Sequence, residues 1–252
     1  MQEILAITLR SMQQDAARLD QIGSNIANVS TPGYKRQVMV ARSEAALAPS
    51  FVQTMNGVAA SQAEAVATLP AARPFDVARD LSAGTLRATG RDLDLSIVGD
   101  GWFEVQTDSG PAYTRQGDFQ LDARGRLVTA RGEAVQGQGG DIVLNAGPFS
   151  VDAAGRVVQE GRAVDRLQVV SFGEKASLSP LGSGLFAVGS QRTPLADTEV
   201  QLRQGFLENA NVQHAREMVD LMQTMRHFES VQRAVQNYDE LVGSAIRKLG
   251  EA

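Results

Sequence analysis

Two histidines, His214 and His227, are the only imidazoles in the chain. On a helix their spacing sets them more than three turns apart, about 19 Å along the axis, so they cannot share a metal ion. Ser183 stands between Gly182 and Gly184 but lacks the Gly-x-Ser-x-Gly pattern of a nucleophile elbow. The glycines of Gly137-Gln138-Gly139-Gly140 miss the dinucleotide fingerprint, and no helical pattern follows them. Cysteine is absent, which excludes disulfide and thiolate chemistry. Asp122 and Asp152 could act as paired carboxylates, yet each sits in an Asp-x-x-Gly segment that explains it as a turn residue. Asn28-Val29-Ser30 matches a glycosylation acceptor, but its place at the end of a helical pattern accounts for it. The expectation is a chain with no catalytic, cofactor-binding or metal-binding residues, and not an enzyme.

What remains is pattern, and it is strongest at the two ends. Residues 1–30 carry an apolar stripe of Leu5, Leu9, Met12, Ala16, Leu19, Ile22 and Ile26. Residues 212–249 carry a longer one that includes Met218, Leu221, Met225, Phe228, Val231, Val235, Tyr238, Val242, Ala245 and Leu249. Steps of three and four residues predict helices, each with one narrow apolar seam. Such seams need partners, and the other terminus and other copies of the chain are the expected ones. The first helix stops at Asn25-Ile26-Ala27-Asn28-Val29-Ser30-Thr31-Pro32-Gly33-Tyr34. Pro32 cannot continue a helix, Gly33 supplies a permissive turn dihedral, and Asn25 and Asn28 can bond the frayed backbone.

Between the helices, residues 37–74 are rich in alanine without persistent periodicity, and Asn56-Gly57 is a turn signal. From Phe75 onward, short alternating runs are broken by turn residues, which predicts antiparallel strands. An echo appears within this body: Phe119 to Val128 matches Phe149 to Val158, each a strand, an Asp-x-x-Gly turn and a returning strand. The expected fold class is α+β: long terminal helices packed as a coiled-coil-like domain, with a central antiparallel β-rich domain. The expected division is 1–35 with 208–252 as the helical unit, 36–74 as an extended connector and 75–207 as the body. A net charge of −5 argues against nucleic-acid binding, and no apolar run approaches a membrane span. Met1-Gln2-Glu3-Ile4 has no basic n-region, so a cleaved secretory signal is not expected.

The assembled segments resemble the flagellar basal-body rod and hook family. Asn25-Ile26-Ala27-Asn28-x-x-Thr31-Pro32-Gly33-Tyr34-Lys35 is similar to its helix-end motif. Gly84-Thr85-Leu86-x-x-Thr89-Gly90-x-x-Leu93-Asp94-x-x-Ile97-x-Gly99-x-Gly101-Trp102-Phe103 is similar to its second signature. Tyr113-Thr114-Arg115-x-Gly117-x-Phe119 and Leu207-Glu208-x-x-Asn211-Val212 carry the likeness to the last helix. Ala210 departs from the serine common at that place, although Asn211 can still cap the helix. The resemblance implies a structural rod subunit that stacks helically into the hollow drive shaft and transmits torque. Length and the Gly99–Phe103 segment look most like a proximal rod subunit, with a distal one as the alternative. An adaptor that docks one partner by its helices is the reading from another class. Implied partners are copies of itself, other rod proteins and the flagellar type III export apparatus. The implied location is the basal body within the periplasm.

Overall fold

The computed structural model describes residues 2–41, 75–172, 178–189, 192–195 and 199–250. Residues 42–74, including the expected Asn56-Gly57 turn, lie outside the described residues. Helix α1 (Gln2–Ala27) opens the chain, and helix α2 (His214–Gly250) follows the last strand. Strand β1 (Gln37–Ala41) pairs antiparallel with β2 (Phe75–Arg79), in a register from Gln37 opposite Arg79 to Ala41 opposite Phe75. Two more ribbons bring distant segments together. Strand β3 (Leu86–Ala88) pairs with β19 (Phe206–Glu208), and β4 (Leu95–Ile97) pairs with β18 (Leu202–Gln204).

The largest sheet is antiparallel and built on β5 (Trp102–Thr107) and β6 (Gly110–Thr114), which pair with each other. Around them lie β7 (Gln120–Leu121), β8 (Leu127–Val128), β9 (Ala134–Gly137), β10 (Gly140–Asp141), β14 (Val169–Ser171), β15 (Leu178–Gly182), β16 (Leu185–Val188) and β17 (Thr193–Pro194). Strands β11 (Phe149–Val151), β12 (Arg156–Gln159) and β13 (Arg162–Arg166) form a separate three-stranded sheet. Alternation along β5 divides two cores. Phe103 and Val105 enter the main one with Leu95, Phe119, Leu127, Val135 and Ile142. Trp102 joins Tyr113, Val170 and Phe186 on the opposite face. The Phe103 and Phe119 rings meet edge to face at 5.2 Å, as do Trp102 and Phe186.

The echo in the sequence is a repeated hairpin. Asp122 Oδ1 accepts from the Arg124 and Arg126 amides at 2.8 and 2.9 Å, and Asp152 Oδ1 accepts from the Ala154 and Arg156 amides at 3.0 and 2.8 Å. In each turn the glycine amide donates back to the aspartate carbonyl at 3.0 Å. Each arginine Nε closes on its aspartate Oδ2, at 2.8 Å for Arg126 and 2.7 Å for Arg156. Phe119 and Phe149 both pack on the main core.

The expected fold class is corrected at the helices. Nineteen strands and two helices make up the described regular structure, and the helices do not pack as a coiled coil. They do touch: Asn25 meets Glu217 and Asp15 meets His227, a pairing that runs antiparallel. The residues buried along this contact are largely polar, namely Gln21, Asn25, Glu217 and Thr224, with Ile22 as the apolar exception. At about 100° per residue, Leu19 and Ile26 stand roughly 100–120° round α1 from Asn25. The apolar stripe of α1 therefore flanks the buried face, and of its described members Ile22 alone is fully buried. Leu9 is 56% exposed, Met12, Leu19 and Ile26 are partly exposed, and Met225 of α2 is 48% exposed. Leu221, Phe228, Val235 and Tyr238 are partly exposed as well. The side chains of Leu5, Val242 and Leu249 lie outside the described residues.

Candidate functional site

The motif residues converge on a buried polar clasp where α1 ends and α2 begins. Asn28 Nδ2 donates to the Ser24 carbonyl at 2.8 Å, and Thr31 Oγ1 donates to Asn28 Oδ1 at 3.2 Å, which closes the end of α1. Pro32 stops the helix, and Gly33 then turns with φ of +64°. A Cβ on Gly33 would lie 2.5 Å from the Arg115 carbonyl carbon and oxygen, so only hydrogen fits there. Gly84 is equally constrained: a Cβ there would stand 1.9 Å from the Asn209 carbonyl oxygen.

Glu208, at the end of β19, is the hub. Its buried carboxylate accepts from Lys35 Nζ at 2.8 Å, from the Gly84 amide at 2.8 Å and from Arg115 Nη1 at 3.2 Å. Its carbonyl accepts from the Gly33 amide at 2.8 Å. Lys35 Nζ donates also to the Ser82 carbonyl at 2.8 Å, and Arg115 Nη2 donates to the Gly99 carbonyl at 2.8 Å. One carboxylate thus faces two buried cations. Burial pulls the Lys35 ammonium below its ordinary value, with Glu208 opposing that shift. Burial acts the same way on Arg115, whose guanidinium also lies 5.6 Å from the centre of the Trp102 ring.

Asn25, Asn211 and Glu217 extend the clasp to both helices. Asn25 mimics a strand partner: its Oδ1 accepts from the Gln37 amide at 2.8 Å, and its Nδ2 donates to the Gln37 carbonyl at 3.0 Å. The same Nδ2 donates to Glu217 Oε2 at 3.2 Å, and the Tyr34 hydroxyl donates to Asn25 Oδ1 at 3.3 Å. Glu217, fully buried, takes Arg36 Nε at 2.5 Å. Asn211 accepts from the Arg36 amide at 2.6 Å and donates to the Asp80 and Ser82 carbonyls at 2.9 and 3.1 Å. The clasp therefore joins α1, α2, the β3/β19 ribbon and the loop after β6. It contains no activated nucleophile, and among the described residues no group of three or more acidic or histidine side chains is placed to hold a metal ion.

Three family models match in chain order. Residues 7–35 match the flagella basal body rod protein model, residues 96–159 the flagellar hook protein FlgE/F/G D1 domain, and residues 203–248 the C-terminal model of flagellar basal body rod FlgEFG proteins. The chain is 33% identical to the flagellar basal-body rod protein FlgF of Caulobacter vibrioides, over 92% of each chain. The chain belongs to the FlgF/FlgG family of flagellar basal-body rod proteins. It is also 31% identical to FlgG of Bacillus subtilis, over 93% of this chain and 94% of that one. With FlgF of Rhizobium meliloti it shares 31% identity over 99% of each.

In this rod-family chain the motif residues divide by place. Asn25, Asn28, Thr31, Gly33, Tyr34, Gly84, Gly99, Glu208 and Asn211 meet in or beside the clasp. Thr89 and Gly90 lie at the β3/β19 ribbon, where both amides donate to the Gly205 carbonyl. Leu93, Gly101, Phe103, Leu207 and Val212 serve packing, being buried or set against the cores. Sequence reading missed Arg36, Gln37, Glu217 and Thr224. Glu217 had a signal: it falls one residue before the apolar stripe of α2, on the face that meets α1.

Proposed function

We propose that this rod-family chain is a proximal, FlgF-type subunit that polymerises helically with copies of itself and with other rod proteins into the torque-transmitting shaft. The observation that carries the reading is the unspent apolar surface of the helices. Leu9 and Met225 of the seam are exposed, as are Val219, Met222 and Leu241 beside it, while the polar clasp holds both helices to the body. Assembly into a filament needs a repeating head-to-tail contact, and such a surface supplies one. The proposed seam comprises Leu5, Leu9, Met12, Leu19 and Ile26 with Leu221, Met225, Phe228, Val235, Tyr238, Val242 and Leu249. The division into a helical unit of 1–35 with 208–252, a connector of 36–74 and a body of 75–207 belongs to this proposal. So do passage through the type III export apparatus and a periplasmic position.

A distal, FlgG-type position is the second reading, favoured by the 31% identity to the Bacillus subtilis protein. The test is electron microscopy of basal bodies from a strain whose only copy carries Leu9→Asp with Phe228→Asp. The expected result is an exported, folded protein and rods that stop at the step this subunit fills. Complete rods and normal swimming would overturn the assignment of the seam. The level at which rods stop separates the proximal from the distal position.

A further inference from the structure

Asp94 is fully buried, and neither of its carboxylate oxygens accepts a hydrogen bond. A buried charge in that condition is costly unless something pairs with it. Arg91 Nε stands 3.7 Å from Oδ1, beyond hydrogen-bond distance, and the Arg91 side chain is 60% exposed. A second acid faces Asp94 as well. Asp118 lies opposite it across an isolated antiparallel bridge. Residues so placed project to the same face with Cβ atoms about 4.5–5.5 Å apart, and like charges there repel. A divalent cation would need about six or more oxygen ligands, and the described residues offer no third acidic group. A proton on one member of the pair relieves the repulsion.

We propose that a proton on Asp118 relieves its repulsion with Asp94 across the bridge, making the pair a proton-dependent latch. Burial, backed by the Asp94 charge, pushes the Asp118 carboxyl above its ordinary value, while its own backbone hydrogen bond and Arg91 oppose. Arg91 is the cation that faces the pair. Lys35, Arg79, Arg131 and Glu133 line the same cleft as Asp118, with Lys35 already engaged by Glu208 and Arg79 Nη1 donating to the Lys35 carbonyl. The latch sits at a junction. The Asp94 carbonyl accepts from the Gly205 amide at 2.8 Å, and the Leu95 amide donates to the Gly117 carbonyl at 2.9 Å. Through these bonds it ties the ribbons β4/β18 and β3/β19 to the loop after β6. The sign is opposite to that of three aspartates elsewhere in the fold. A raised folded value gives stability that is present at low pH and lost as pH rises through it, whereas Asp80, Asp122 and Asp152 are lowered and lose stability in acid.

The test uses carboxyl-carbon NMR of Asp118 in the full chain, with Asp94→Asn and Asp118→Asn as variants. The expected midpoint for Asp118 lies above the ordinary aspartate value of about 3.9, and it falls back in Asp94→Asn. The gap in unfolding temperature between Asp118→Asn and the parent should widen as pH rises. An ordinary midpoint, or one that Asp94→Asn leaves unmoved, overturns the latch. So does an unfolding temperature that rises with millimolar calcium at neutral pH and loses that response in Asp118→Asn, because a cation would then hold the pair.

Discussion

Replacing Gly33 with alanine tests the clasp at its tightest point. With φ at +64°, any L-residue there is strained by about 1–3 kcal/mol. The new Cβ would also lie 2.5 Å from the carbonyl carbon and oxygen of Arg115 and 2.7 Å from the Gln116 amide nitrogen. These are backbone atoms and cannot rotate aside. Either the Arg115 main chain shifts and loosens its grip on Glu208, or the turn rotates and loses the 2.8 Å bond from the Gly33 amide to the Glu208 carbonyl. Such a bond is worth about 0.5–1.5 kcal/mol net, so the total loss should be about 2–4 kcal/mol. Gly23→Ala is the matched control. It lies in α1 with nothing within 4 Å of the added Cβ, and should gain up to about 1 kcal/mol from helix propensity. Urea unfolding followed by fluorescence of Trp102, the single tryptophan, reads both. A Gly33→Ala protein within about 0.5 kcal/mol of the parent would refute the reasoning. So would two variants that shift stability in the same direction.

Glu208→Gln should cost about 3–5 kcal/mol, because it leaves Lys35 and Arg115 buried without a counter-charge. Lys35→Met in that background should recover part of the loss, and simply additive losses in denaturant melts would contradict a coupled hub. Asp122 is held below its ordinary value by the Arg126 amide and then the Arg126 guanidinium, so its contribution is present near neutral pH and lost as pH falls through its folded value. Asp122→Asn should therefore lessen the fall in unfolding temperature on acidification, and an unchanged acid limb would count against the turn account.

The helices, their ends and the repeated hairpin were legible in the sequence because each depends on local rules. Pro32 and Gly33 end α1 by dihedral constraint, and Asp122 and Asp152 build their turns from bonds within five residues. The clasp was legible only in outline. The family resemblance gathered Asn25, Gly33, Glu208 and Asn211, but nothing local shows that Glu208 would meet Lys35 from 173 residues away. The packing of the helices was misread for a physical reason. Periodicity finds the face with the most apolar residues, and assumes that the chain itself buries that face.

In this fold the most deeply buried positions on the helices are mostly polar, while Leu221, Phe228, Val235 and Tyr238 are only partly covered. A contact made by Asn25, Glu217 and Arg36 is directional, since each bond fixes a donor to an acceptor at a set geometry. An apolar seam is non-directional and tolerates sliding. Spending the polar residues inside the subunit therefore fixes how α1 and α2 leave the body. The apolar residues Leu9, Met222 and Met225 stay on the outside. A subunit built this way holds its helices at a set geometry to the body, and in the proposed function it retains on them an apolar surface for association to bury. The reverse arrangement would leave two helices loosely angled to the body and a polar exterior with little to gain from contact.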